Sequence, residues 1–458
     1  MSELLPRMPH QQETFEALKI HDQFLDFSDP GTGKTRSQVD MIAERKKNPD
    51  SKATLVICPK SLMYSTWVCE IEKWQDHLTC VIAPAAKRKV AFEDDVDVYI
   101  TNTDAATWLL QQSPEFFKRF DTLIVDEISK FKNPQAKRTK ALMAISRYFP
   151  YRYALTGTPI PNTIFDIWSQ VFIIDHGDHL GNNFYHFRST TCTPKQVGQS
   201  PHAIQWTVKP GMHETVAQLL ADISIRHDFS LLELPPNTLN LQRYRLSPAH
   251  LKQYLKLKKT AVLQVEDDFV VGINAATLLG KLLQVCSGTV YNETMDTVQI
   301  DPGRIELVRE LVSARKHSLV FFNYKHQRDA LIAELKKKKP GEEKITFCVI
   351  DGDTTDNDRA RYIKRFQNGM YRTMLAHPAA AAHGLTLTKA TSTIWMSLTW
   401  NLEFWLQGNR RIHRKGQEEA TETIAILAEG TVEEDVLERL SAKDASQQTV
   451  LDILKELT

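Results

Sequence analysis

Two sets of short apolar runs alternate with helical patterns along this chain. The first set is FLDFS (24–28), TLVICP (54–59), VDVYITN (96–102), TLIVDE (122–127) and RYALTGT (152–158). The second is HSLVFFN (317–323), ITFCVID (345–351), RTMLAHP (372–378), TSTIWMSL (391–398) and ETIAILAE (422–429). Strands alternating with helices imply crossover connections and a mostly parallel sheet, because two parallel neighbours cannot be joined by a tight turn. Two α/β domains are the simplest solution. Between them, roughly 160–300, the pattern turns irregular and then helical. Turn-rich HGDHLGNN (176–183) and the breaker LPPN (234–237) precede a basic amphipathic stretch, LKQYLKLKK (251–259). This region reads as an inserted or bridging helical element. The run KKKK at 336–339, followed by ProGly, reads as a solvated helix end.

Bulk properties narrow the class. A chain of 458 residues has room for two or three domains, and 42% hydrophobic with 25% charged residues is ordinary for a soluble protein. Lys plus Arg (57) and Asp plus Glu (56) nearly cancel to a net +1, so a polyanion partner has to be held by a local groove. The six cysteines form no C-x-x-C pair, which argues against a zinc site or a disulfide framework and for a reducing compartment. MSELLPRMPHQQ has no apolar core of signal-peptide length, and no run reaches the roughly 18 apolar residues of a membrane span. A cytoplasmic protein with no membrane partner is the expectation.

SDPGTGKT (28–35) follows the run FLDFS and precedes the helical pattern RSQVDMIAERKK. Gly31 and Gly33 let backbone N–H groups around Thr32 turn onto phosphate oxygens. Lys34 brings a point charge to the terminal phosphates, and Thr35 offers a hydroxyl to Mg²⁺. Ser28 stands where the full pattern has glycine. LIVDEISK (123–130) ends a buried strand on two carboxylates, and phosphoryl transfer needs one acid for the metal and one for water. Asp126 is assigned to Mg²⁺ and Glu127 to the attacking water. No Asn-Lys-x-Asp guanine reader is present, so the base is read as adenine, held by Gln11 in PHQQETFEAL.

With LTGTPIPN (155–162) and QGNRRIHRKGQ (407–417) added, the chain resembles the Snf2 family of superfamily 2 helicase-like ATPases. The resemblance runs collinearly through MPHQQETFEAL, CPKSLMYSTWVCEIEKW (58–74), ITNTDAA (100–106), ISIRHDFSLLELPPNTLNLQRYRLSPAHLKQYLKLKK (223–259), LVFFNYKHQ (319–327), DGDTTDNDRARYIKRFQNG (351–369) and AHPAAAAHGLTLTKATSTIWMSLTWNLEFWLQGNRRIHRKGQ (376–417). Its wording is closest to compact phage and bacterial members. EGTVEEDVLERL (429–440) resembles the family's closing brace helix, and no histone-reading or linker-binding appendage is expected after it.

The resemblance implies two tandem RecA-like domains, at 1–165 and 301–458, with a helical insertion and bridge at 166–300. It implies that Gln407, Arg411 and Arg414 complete an ATP site across a cleft from Lys34, with Arg410 out of phase. Thr156 and Thr158 would couple nucleotide state to a DNA surface made by Lys60, Ser61, Asn102, Asn323, Lys325, His383, Gly384 and Thr386. Backbone-directed contacts use such small and polar residues. Trp67, Trp74, Trp395, Trp400 and Trp405 read mainly as core, not as base-stacking platforms.

The expected activity is a DNA-dependent ATPase that uses ATP and Mg²⁺ to translocate on duplex or branched DNA, in replication, recombination or repair. It is expected to be monomeric, with other replication or recombination proteins as partners. One alternative is a strand-separating or branch-migrating helicase at forks and junctions. Another, of a different class, is a nucleotide-gated DNA-binding subunit of a larger assembly.

Overall fold

The computed structural model describes residues 5–196, 204–267, 271–291, 297–299, 301–338, 341, 343–381 and 385–457. The chain divides into two compact units. The first comprises residues 1–193, 207–232 and 443–458, and the second residues 194–206 and 233–442.

In the first unit seven strands form one sheet: β1 (Gln23–Asp26), β2 (Ala53–Cys58), β3 (Cys80–Ala83), β4 (Val98–Asn102), β5 (Phe120–Asp126), β6 (Tyr151–Leu155) and β7 (Ser224–Ile225). Their order is β3-β4-β2-β5-β6-β1-β7, and every pairing is parallel. Parallel sheets are covered on both faces, which is why Leu55, Val56 and Ile57 of β2 and Leu123, Ile124 and Val125 of β5 are all buried. Helix α1 (Pro9–Ile20) starts with the backbone N–H of Met8 donating to Gln11 Oε1 at 3.1 Å, and α2 (Lys34–Arg45) follows the phosphate loop.

The second unit holds a six-stranded sheet: β8 (Asn237–Tyr244), β9 (Ser318–Phe321), β10 (Phe347–Ile350), β11 (Thr373–Ala376), β12 (Ser392–Trp395) and β13 (Thr421–Ala428). The order is β8-β13-β12-β9-β11-β10, again all parallel. The ten apolar runs of the sequence are strands in these two sheets. Of the three further strands in these two sheets, β3 is the four-residue run CVIA, β7 has only two residues, and β8, NTLNLQRY, lies at a sheet edge with most of its residues exposed. The lysine run follows the end of helix Lys325–Lys336; Lys337 and Lys338 are exposed, and Lys339 lies outside the described residues.

A ligand site in an open parallel sheet forms where the strands end at their carboxyl side and the loops splay apart. Here the phosphate loop follows β1, Lys60 and Ser61 follow β2, Asn102 ends β4, Asp126 ends β5 and the LTGTP turn follows β6. In the second unit Asn323 follows β9, and Ser397 follows β12.

Candidate nucleotide site and nucleic-acid interface

Strand register sets the site in the first unit. Leu155 of β6 pairs with Asp26 of β1 on one side and with Asp126 of β5 on the other. The phosphate loop, the threonine turn and the acid pair therefore leave the sheet at one level, with the turn in the middle. Thr156 N–H donates to Asp26 O at 3.0 Å, and Thr158 N–H donates to Thr156 Oγ1 at 3.1 Å. Both threonines are buried, and Thr158 Oγ1 has no hydrogen-bond partner among the described residues. Gly157 packs so tightly on the phosphate loop that a Cβ there would lie 2.6 Å from Pro30 Cδ.

The loop itself is held from within. Asp29 O accepts from Thr32 Oγ1 at 2.8 Å and from Lys34 Nζ at 3.1 Å, and Ser28 O accepts from the same ammonium at 2.5 Å. Gly33 has φ +85°, and a Cβ there would fall 2.1 Å from Gln11 Nε2, so any other residue would be strained and would displace the Gln11 amide. Gly31 is also left-handed, at φ +96°. Gln11 lies over the loop, its Nε2 3.4 Å from Thr32 O and 3.5 Å from Gly33 O, while His10 Nε2 meets Thr32 O at 2.7 Å. Gln11 and His10 are buried at this junction of α1 and the loop. Thr35 sits in the first turn of α2, half-buried.

Asp126 is buried, and Trp67 Nε1 donates to its Oδ2 at 3.0 Å. Burial, reinforced by the neighbouring Glu127 carboxylate, pushes its pKa up to about 7, against the opposing pull of the indole and Lys34. Glu127 adopts a left-handed conformation, φ +54°, which costs a non-glycine residue about 1 kcal/mol or more and is found where a site over-determines the backbone. The indole partner is a feature the sequence reading missed. Trp67 was visible only as a tryptophan in an apolar stretch, and a lone aromatic does not reveal which carboxylate its N–H will meet.

In the second unit the block after helix Leu402–Asn409 interlocks with the segment before β12. Arg411 Nη1 and Arg414 Nη1 both donate to Leu385 O, at 3.1 and 2.9 Å, and Leu387 N–H donates to Arg411 O at 3.0 Å. Arg411 and Gln407 are buried, Arg414 half-buried. Gln407 Nε2 lies 3.4 Å from Glu403 Oε1.

Residues 24–288, more than half of the chain, match the SNF2-related domain, and residues 303–416 match the helicase conserved C-terminal domain. The chain belongs to the SNF2-related family. Protein p41 of Acyrthosiphon pisum secondary endosymbiont phage 1 is 27% identical over 93% of both chains. An uncharacterized ATP-dependent helicase of Mycoplasma genitalium is 26% identical over 89% of this chain, which spans only 38% of that protein's length. Among solved structures, the Sulfolobus solfataricus SWI2/SNF2 ATPase core in complex with dsDNA is 21% identical, with a TM-score of 0.45 over 96% of this chain and 92% of that one.

The SNF2-related chain places the other named positions as follows. Cys58 of β2 pairs with Asn102 of β4, so the Lys60–Ser61 turn and Asn102 leave neighbouring strands together. Lys60 is exposed and Ser61 half-buried, and Asn102 Oδ1 accepts from Arg88 Nη2 at 2.6 Å. Asn323 spends its amide nitrogen on Ser397 O, Ser397 Oγ and Leu398 O, at 3.0, 3.0 and 2.9 Å, which fixes the turn after β12. Lys325 pairs with Asp353 at 3.0 Å with both side chains in solvent. Thr386 is exposed, while His383 and Gly384 lie outside the described residues. Trp67, Trp395 and Trp405 are buried, and Trp74 and Trp400 are partly buried. No helix among the described residues is long and apolar enough to cross a membrane.

Proposed function

We propose that this SNF2-related chain is an ATP-dependent DNA motor that couples hydrolysis to translocation on duplex DNA. Its working parts would be a nucleotide-binding lobe at 1–165, an insertion and bridge at 166–300 and a second lobe at 301–458. The observation that carries the reading is the common level of Asp26, Leu155 and Asp126, which supports a loop, a turn and an acid pair acting on one nucleotide.

In this reading Lys34 and the loop N–H groups hold the phosphates, and Gln11 holds the base. The donors Thr35 and Asp126 are hard oxygens, suited to a Mg²⁺ ion that keeps phosphates and waters as its remaining ligands. Magnesium-bound ATP supplies the phosphoryl group to be transferred. Glu127 orients and deprotonates the attacking water. Arg411 and Arg414, with Gln407 beside them, are the guanidinium donors proposed for the γ-phosphate, since planar forked donors suit phosphate oxygens. The buried, unpartnered Thr158 hydroxyl supports a switching role for the LTGTP turn. Leaving such a group unsatisfied costs about 1–3 kcal/mol, which a nucleotide-dependent partner would relieve. Lys60, Ser61, Asn102, Asn323, Lys325, His383, Gly384 and Thr386 are the proposed DNA surface.

The test is an ATPase titration against duplex, single strand, fork and four-way junction at one stated salt concentration, paired with triplex displacement on blunt duplex. Salt has to be fixed because phosphate-dominated binding falls steeply with ionic strength. Duplex-stimulated turnover with triplex displacement and no unwinding supports the proposal; efficient unwinding of a simple fork replaces translocation with strand separation. Turnover unaffected by any DNA rejects the motor.

A further inference from the structure

We propose that the segment Ser224–Phe229 is a positioning element for the phosphate loop and that Arg226 is its working residue. The proposal rests on the ATP-site reading above. The segment reaches the site after the chain has completed the rest of the first sheet, and β7 pairs in parallel beside β1, Leu25 with Ser224 and Asp26 with Ile225.

The pairing does not stop where the strands stop. Phe27 N–H donates to Ile225 O and Asp29 N–H to His227 O, both at 2.9 Å, so the ladder continues into the phosphate loop itself. His227 N–H donates to Ser28 Oγ at 3.0 Å, which gives the serine that replaces the pattern's glycine a partner of its own. Phe229 N–H donates to Asp29 Oδ2 at 2.9 Å. Arg226, with only 2% of its side chain exposed, bridges the loop from the same side: its Nη1 lies 2.9 Å from Phe27 O and 3.0 Å from Asp29 Oδ1.

These contacts converge on one peptide. Asp29 O is the acceptor for Thr32 Oγ1 and Lys34 Nζ, the two groups that shape the cradle and carry its charge. Its side chain is held by Arg226 and Phe229, and its N–H by His227. The chain of contact is therefore Arg226 to Asp29 to Lys34, and Arg226 acts through Asp29 without needing to touch nucleotide. His227 extends the hold to α1, because its Nε2 lies 3.0 Å from Thr14 Oγ1, one turn from Gln11. Shortly after Phe229 the chain passes into the second unit, at Glu233. The loop that reads the nucleotide is thus hydrogen-bonded to the stretch by which the chain leaves the first unit. A buried charge pair of this kind is worth most when it fixes geometry, since removing one partner strands the other.

The experiment uses the full chain and a fluorescent mant-ATP probe, with steady-state ATP kinetics and thermal melting alongside. Arg226→Met is expected to raise the mant-ATP Kd and the ATP KM roughly tenfold, with kcat changed less than about threefold. Arg226→Lys should recover most of that loss. The double variant Asp29→Asn/Arg226→Met should lose less than the two single losses multiplied together, because the pair acts as a unit. If Arg226→Met does not fold, Asp29→Asn carries the measurement and should show the same shift in Kd. An unchanged Kd in the single variants, multiplicative losses in the double variant, or a lower melting point with no recovery by lysine would each overturn the positioning role. Lys34→Ala separates this from failure of the ATP site. Equal mant-ATP binding by wild type and Lys34→Ala rejects the site itself, whereas binding lost in Lys34→Ala and kept in Arg226→Met rejects only the role of Arg226.

Discussion

Two buried arginine–carboxylate pairs, one in each unit, show how the same chemistry serves different ends. In the second unit Arg304 and Glu433 are fully excluded from solvent and meet through two contacts, at 2.9 and 2.6 Å. Their spare valences go to backbone: Arg304 Nη1 donates to Met396 O, and Glu433 Oε2 accepts from Ala428 N–H. That pair ties the helix after β13 to the end of β12. In the first unit Arg226 Nη1 lies 3.0 Å from Asp29 Oδ1, and that carboxylate belongs to the glycine-rich loop after β1. One pair closes a core, and the other fastens a loop to the strand beside it.

A third use of arginine sharpens the contrast most. Arg411 and Arg414 both donate to the Leu385 carbonyl, a neutral acceptor that a phosphate oxygen can outcompete. Arg414→Ala should leave nucleotide affinity within a few-fold yet remove DNA-stimulated hydrolysis, a loss of ~10³–10⁵ if it supports developing charge. Stimulation that survives in a coupled ATPase assay would return Arg414 to a purely structural place beside Leu385. Glu127→Gln should keep mant-ATP binding and lower turnover by ~10²–10⁴, the usual contribution of a positioned base; most of the wild-type rate persisting would remove the glutamate from the chemistry.

The core pair should behave in the opposite way. Arg304→Met leaves Glu433 buried without its partner, and breaking such a pair costs about 3–5 kcal/mol. Denaturant unfolding should show that loss while the mant-ATP Kd, which depends on first-unit residues, moves less than about twofold. If nucleotide affinity fell as far as stability, the distinction between the two pairs would be lost.

How far the sequence reveals all this depends on how local each signal is. The phosphate loop, the acid pair and the arginine block are each spelled within about a dozen consecutive residues, and the ten main strands lie in short, largely apolar or β-branched runs. Neighbouring residues alone were enough to read them. Trp67 and Arg226 are different, because each acts on a partner far along the chain, at Asp126 and Asp29. By the family resemblance the ISIRHDF stretch falls in the helical bridge expected at 166–300. Only the pairing of Ser224 and Ile225 with β1 shows that it adds a strand to the first sheet. A two-residue strand leaves no period to detect, and the polar β8 lacks the buried alternation that would announce it.

Asp126 gives the smallest effect and the one with a definite sign in pH. Its folded pKa is raised from the ordinary carboxylate range to about 7, by burial first and the Glu127 charge second. Without metal, the folded protein keeps a proton that the unfolded chain has released between about pH 4 and pH 7, so this group's contribution to stability falls as pH rises through that window. With Asp126 as the proposed Mg²⁺ ligand, metal binding would run the other way, because the ion would have to displace that proton. Apparent Mg²⁺ affinity in the ATPase assay should weaken by up to about tenfold per unit as pH falls below about 7, and level off above it. Magnesium titrations at pH 6 and pH 8 read this directly. Asp126→Asn should flatten the dependence as well as weaken binding, since the amide has no proton to lose. A wild-type midpoint that does not move between those two conditions would mean that Asp126 is already charged before the metal arrives, and the burial around Trp67 would then be too wet to hold the carboxyl neutral.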